Sequence, residues 1–158
     1  MRKQKGFSLI ELLIVVAIIL IIAAIAIPNL MRARMSANES SAAGSIRTIN
    51  TGDVSYAAAY PSIGFTALAT LGGAEPCTPS TTSGCFIDNV LAAGSKEGYT
   101  FTATAGTPVA GVNMTYTSLG YPSSLDKTGT RAFCSDQTGV IFYNLNATTC
   151  ANTNSVLQ

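Results

Sequence analysis

The feature that most constrains this chain is an uninterrupted apolar run near its start. The sixteen residues from Leu12 to Ile27 include no polar side chain. As a helix, residues 7–27 would be about 30 Å long, which is enough to cross the hydrocarbon core of a bilayer. A helix that is apolar on every side must be covered by lipid or by other copies of itself. The basic residues before it allow two ordinary interpretations, a secretory signal cleaved after Ala24-Ile25-Ala26 or a plain membrane anchor.

Glu11 fits neither ordinary interpretation, because a carboxylate at the start of such a run costs about 1–3 kcal/mol on insertion into a membrane. Residues 5–11, with the apolar run and Pro28 after them, resemble the prepilin processing signature of type IV pilins and related pseudopilins. The resemblance implies that a prepilin peptidase/methyltransferase cuts after Gly6 and methylates the new N-terminal amine of Phe7. It also implies that Glu11 acts in assembly.

The same resemblance divides the chain into a leader, residues 1–6, which is removed, a transmembrane and assembly helix, residues 7–28, and a globular domain, residues 29–158. The chain departs from many pilins in one respect, because no glycine lies between Phe7 and Ala43. Local unwinding of the helix within a filament would then depend on Pro28, which removes a backbone donor and clashes with the carbonyl of Ala24.

Apolar spacing at the helical period continues beyond Pro28, on a face that includes Met31, Ile46, Ile49 and Tyr56. This spacing predicts one helix from residue 7 to residue 59, kinked at the proline. Asp53 falls on the apolar face, where it would mark a bend or pair with a polar group of the domain. Residues 61–64, Pro-Ser-Ile-Gly, are expected to end the helix.

The remaining chain predicts two short helices, at residues 65–71 and 87–93, followed by strands. Apolar and polar residues alternate at 99–104 and 112–117, and two more strands are expected at 131–135 and 139–143, joined by a turn at 136–138. The predicted fold is α+β. A long N-terminal helix has a protruding apolar half, and its C-terminal half packs on an antiparallel sheet of about four strands. The resemblance implies the same fold.

The composition argues against an enzyme. The chain has no histidine, which most general bases and zinc sites require. We expect no catalytic residue, cofactor or metal site. Without the leader, six basic residues oppose eight acidic ones, which argues against a nucleic-acid partner.

Four cysteines, Cys77, Cys85, Cys134 and Cys150, all follow the apolar run, and none forms a C-x-x-C motif. An even number on the far side of a membrane favours disulfides. Three pairings are possible. Proximity in sequence favours Cys77–Cys85 with Cys134–Cys150, and the resemblance adds that a disulfide closing the C-terminal region is common in pilins.

The function that the resemblance implies is structural. The chain would be stored in the inner membrane, in contact with lipid and the pilus assembly machinery. It would then polymerise through its N-terminal helix into an extracellular homo-oligomeric filament, a fimbrium. Such filaments serve adhesion, twitching motility or DNA uptake. The alternative is a pseudopilin of a type II secretion system.

Overall fold

The computed structural model describes residues 6–157, so residues 1–5 of the predicted leader and Gln158 lie outside the described residues. The chain divides between Arg34 and Met35 into two units. The N-terminal unit is helical from Leu9, and the C-terminal unit contains the sheet. Each unit is described by itself below.

Helix α1 (Leu9–Ala59) is the predicted long helix, and it ends at the predicted residue. It begins two residues later than predicted, because Ser8 precedes the first helical turn and its carbonyl accepts from the amide of Leu12. Pro28 lies inside α1, with helical residues before and after it. The predicted kink at Pro28 stays a prediction.

A loop after α1 is fastened by the segment around Asn113. The amide of Asn113 donates to the carbonyl of Ile63, and the amide of Phe65 donates to the carbonyl of Asn113. Gly64, between them, has a φ of +78°, and a Cβ at this position would collide with the backbone of Asn113. Glycine is therefore required here, both for its positive φ and for the close approach of two backbones.

The sheet has six antiparallel strands in sequential order. Two short helices, α2 (Leu68–Leu71) and α3 (Asn89–Ala92), precede it and lie within the predicted segments. The strands are β1 (Ser95–Lys96), β2 (Tyr99–Ala105), β3 (Tyr116–Pro122), β4 (Arg131–Asp136), β5 (Ile141–Leu145) and β6 (Ser155–Val156). The predicted α+β fold, a long helix followed by an antiparallel sheet, is confirmed.

Two details of the strand prediction were wrong. The strand expected at residues 112–117 is displaced to Tyr116–Pro122, because Val109 and Val112 close a turn and Asn113 is bonded to the loop after α1. The inward side of β3 includes a serine and a glycine, so it shows no apolar alternation. The sheet also has six strands instead of about four, since β1 and β6 are only two residues long.

The core of the C-terminal unit lies between one face of α1 and one face of the sheet. From α1, Ile46, Ile49 and Tyr56 are fully buried. The sheet contributes Tyr99, Phe101, Phe133 and Ile141 to the same cluster. Met31, predicted to share the buried face of the helix, lies instead in the N-terminal unit and is 50% exposed.

Candidate assembly segment and globular domain

The beginning of α1 has one of the two hydrogen bonds of a capping box. The backbone amide of Ser8 donates to Oε2 of Glu11 at 3.0 Å, and Ser8 precedes the first helical residue. In such a box the carboxylate three residues inside the helix satisfies an amide that has no partner within the helix. Glu11 therefore has a local structural partner before any assembly occurs. The Ser-x-x-Glu spacing of Ser8 and Glu11 is the sequence signal for this contact, which was not predicted.

Gly6, Phe7 and Glu11 lie together at the start of α1, and Phe7 is 82% exposed. In the uncleaved chain, Phe7 has no free amine, and cleavage after Gly6 would create one four residues before Glu11. Pro28 lies about five turns further along the same helix, in the same unit. The structure thus places Glu11 and Pro28 on one helix, with Gly6 and Phe7 immediately before its first residue.

The surface of this segment is apolar from Leu12 to Ile27. Its large apolar side chains from Phe7 to Met31 are 45–82% exposed. An 18-residue window of α1 has a mean hydropathy of 3.3, and none of that window is buried. By length and composition the helix can cross a membrane. An exposed apolar surface of this size requires a cover of lipid or protein.

The four cysteines lie in the C-terminal unit and form the two disulfides predicted from proximity, Cys77–Cys85 and Cys134–Cys150. The first closes a loop after α2. The second joins strand β4 to the C-terminal segment that contains β6. Leu157, at the end of this segment, packs against the core and donates its amide to the carbonyl of Ile141.

A buried polar network joins α1 to the centre of the sheet. The side-chain amide of Asn50 donates to Oγ of Ser135 at 2.8 Å, and Oγ of Ser118 donates to Oδ1 of Asn50 at 3.3 Å. Ser135 donates in turn to the carbonyl of Val140 at 2.8 Å. Because buried polar groups are costly without partners, these bonds favour one position of α1 on the sheet.

Glu39 makes a second connection between α1 and the sheet. Its Oε1 accepts from the amide and the hydroxyl of Thr130, each at 2.8 Å, and its Oε2 lies 3.5 Å from Nε of Arg131. No role was predicted for Glu39 from the sequence. No local pattern could indicate these partners, which follow about ninety residues later.

Asp53 is the buried polar residue that the sequence placed on the apolar face. Its Oδ1 accepts from the backbone amide of Thr66 at 3.1 Å, which confirms a polar partner in the domain. Among the described residues, its Oδ2 is buried without a hydrogen bond. Burial raises the pKa of Asp53 to about 6, although the Thr66 amide acts in the opposite direction. Burial, together with the charge of Asp53, also raises the pKa of Tyr116.

The stability of the domain is expected to rise as the pH falls from 7 to 5, because of Asp53. With a raised pKa, the native state holds a proton in this range that the unfolded chain has released, so ionisation near pH 7 costs about 2–3 kcal/mol. Asp53→Asn should flatten this dependence in thermal unfolding of the detergent-solubilised chain. The exposed Asp126→Asn serves as the matched control and should retain it. If the stability of Asp53→Asn depended on pH as steeply as that of the wild type, the assignment of this dependence to Asp53 would be wrong.

A groove of about 360 Å³ lies on the sheet beside the second disulfide, lined by residues that include Thr102, Thr117, Phe142 and Cys150. Asp136, at its edge, accepts from the amide and the hydroxyl of Thr138, and the hydroxyl bond most strongly lowers the pKa of Asp136. Within residues 6–157, no three His, Cys, Asp or Glu side chains are grouped so that they could hold a metal ion.

Comparison with known proteins identifies the N-terminal segment. Residues 1–27 match the family described as Prokaryotic N-terminal methylation motif. The Type IV wide pilus major component PilA4 of Thermus thermophilus is 67% identical over 39 residues, which are 25% of this chain and 30% of the relative.

The Type IV major pilin protein PilA of Myxococcus xanthus is 44% identical over 54 residues, which are 34% of this chain and 24% of the relative. The matched region thus covers less than a third of either relative. No solved structure matches the chain significantly.

Proposed function

We infer from the pilin-type N-terminal segment that this chain is a type IV pilin, a structural subunit of a surface filament. The chain polymerises into that filament through α1. The observation that supports this most strongly is the arrangement at the start of that helix. The Gly6-Phe7 junction immediately precedes the hydrogen bond from the Ser8 amide to Glu11, and an exposed apolar surface follows. Both relatives are named as pilus components, and their similarity favours a pilus over a secretion pseudopilus.

The proposed life cycle has two stages, which differ in what covers the apolar helix. Before assembly, lipid of the inner membrane surrounds it, and the domain after it lies outside the cytoplasm, where both disulfides are stable. A prepilin peptidase/methyltransferase then removes residues 1–6. In the filament, the helices of other copies replace the lipid, so the apolar side chains stay out of water in both stages.

The globular domain supports this role by holding a fixed shape around α1. The Asn50 network and the Glu39 contacts connect the C-terminal half of the helix to the sheet and its loops. The two disulfides close the loop after α2 and fasten the C-terminal segment to β4. A filament subunit needs such rigidity, because each copy must present the same surface to its neighbours. By resemblance, the filament would act in adhesion, twitching motility or DNA uptake.

Electron microscopy of sheared cell-surface material tests the proposal. Cells that produce this chain should carry filaments, mass spectrometry should identify the chain as a main component, and deletion of its gene should remove them. Complementation restores the filaments and serves as the control. Persistence of the same filaments after deletion would contradict the proposed function, and localisation only to a secretion complex would favour the pseudopilin alternative.

A further inference from the structure

The two units of the chain have opposite charge. After cleavage, residues 7–34 carry Arg32, Arg34 and the new amine against Glu11, a net charge of +2. Residues 35–158 have four basic and seven acidic side chains, a net charge of −3. The helical segment of one copy is therefore electrostatically complementary to the globular domain of another.

Most charges of the globular domain are already engaged. Lys96 pairs with Asp88 at 3.2 Å, and Arg131 pairs with Glu39. Asp53 is buried. Asp136 accepts from Thr138 and Asn152. Within residues 35–157, the acidic side chains that are exposed and make no ion pair are Glu75, Glu97 and Asp126.

Glu97 and Asp126 belong to two neighbouring turns, residues 97–98 and 124–129, which we call the acidic turns. The amide of Ser123 donates to the carbonyl of Gly98 at 2.9 Å, and a Cβ on Gly98 would approach Thr128 to 3.0 Å. Both acids have a positive φ, 48° for Glu97 and 61° for Asp126. This conformation is uncommon for glutamate, whereas aspartate adopts it readily in turns.

The acidic turns also contain one basic residue, Lys127, which follows Asp126 and is exposed. Lys127 makes no ion pair in the part of the chain that the structure describes. With two acids and one base, the acidic turns keep a net negative charge, so they still attract a cationic partner.

Arg32 and Arg34 are the complementary groups. Both are exposed, and neither makes an ion pair in the described part of the chain. They follow the apolar segment directly, so they enter any contact that covers its end. Guanidinium groups are weakly hydrated and donate five hydrogen bonds, which suits them to partly desolvated interfaces. Because Arg32 and Arg34 lie two positions apart on a helix, their side chains point to nearly opposite sides and thus toward two different neighbours.

We propose that Arg32 and Arg34 of one subunit dock against the acidic turns of neighbouring subunits, and that these contacts set the position of subunits in the filament. The proposal rests on the proposed function. It assigns the partner as a second copy of this chain, recognised by charge at Glu97 and Asp126. Because rim charges contribute mainly to selection of the correct partner and register, a reversed charge should impair assembly by repulsion.

Charge reversal and charge exchange test the proposal in cells that form wild-type filaments. We expect Arg32→Glu with Arg34→Glu, and separately Glu97→Lys with Asp126→Lys, each to reduce sheared filament yield by about tenfold. The chain with all four substitutions should recover most of that yield. Arg47→Glu and Glu75→Lys reverse other exposed charges and serve as matched controls that should stay near the wild-type yield.

The amount of inserted, processed subunit in the membrane must be measured in every variant. The turn variant leaves the helix unchanged, so it tests the contact even if the arginine variant inserts poorly. Normal filament yield in either double variant, or failure of the fourfold variant to recover, would overturn the proposal. Reduced insertion of the arginine variant with a normal turn variant would assign the arginines to anionic lipid headgroups instead. Absence of wild-type filaments containing this chain would refute the proposed function itself.

Discussion

Glu11→Gln is expected to leave membrane insertion and processing at Gly6 largely intact and to reduce filament assembly steeply. Glutamine keeps the shape of the side chain, and its Oε1 can still accept the Ser8 amide that Glu11 accepts at 3.0 Å. The substitution therefore preserves this capping hydrogen bond and removes the charge. Insertion should be equal or better, because a carboxylate near the start of a membrane helix is costly.

Assembly should suffer because packed helices exclude water. In the proposed filament, the carboxylate of Glu11 needs a cation at its own depth, and cleavage creates one in the amine of Phe7. The amine of a neighbouring subunit would supply register as well as attraction. A hydrogen bond to a charged group contributes about 1.5–3 kcal/mol, so its loss in every subunit should lower assembly by about tenfold or more.

The measurement is the yield of sheared filaments relative to processed subunit in the membrane. Glu11→Leu is the informative companion, because it removes both the charge and the cap, whereas Glu11→Gln removes the charge alone. Normal filaments at normal yield from processed Glu11→Gln chain would show that the charge of Glu11 has no role in assembly. The residue would then serve the helix cap or recognition by the peptidase.

Replacing both Cys134 and Cys150 by serine is expected to have the largest effect on the stability of the domain. Loss of a disulfide in a small extracellular domain costs about 2–5 kcal/mol. This bond ties the C-terminal segment to β4, and that segment supplies β6 and the packed Leu157. Its release should therefore remove packing as well as the restraint on the unfolded chain.

The matched control is the double serine variant of Cys77 and Cys85, whose disulfide closes a loop with a separation of 8 residues, against 16 for the other bond. We expect the control to lose less stability, since the shorter loop restrains the unfolded chain less. Denaturant unfolding in detergent under non-reducing conditions, together with filament yield, gives the comparison. An equal or greater loss in the control would contradict this ranking.

The sequence predicted those features that are recorded in local patterns. The apolar run and the helical spacing after it located α1 to within two residues, and alternation located the inward residues of β2. Proximity of the cysteines in the sequence was sufficient to predict both disulfides. Each of these signals depends on residues that are near each other in the chain, so no knowledge of the tertiary structure was needed.

The features that the sequence did not predict depend on distant partners or on small inward residues. The position of strand β3 was not predicted, because its inward face includes Ser118 and Gly120, which give no apolar alternation. Ser118 bonds Asn50 of α1, and a Cβ on Gly120 would approach the ring of Phe101 to 2.8 Å. The connection that Glu39 makes between α1 and the sheet likewise depends on a distant residue, Thr130.

The central claim is that the apolar helix remains on the mature subunit and builds the filament. Intact-mass analysis of the chain recovered from sheared filaments tests this claim most directly. The predicted result is a chain that begins at Phe7 and carries one N-terminal methyl group, with both disulfides present. A chain that begins at Ile27, after Ala24-Ile25-Ala26, would show an ordinary secretory signal and contradict the account.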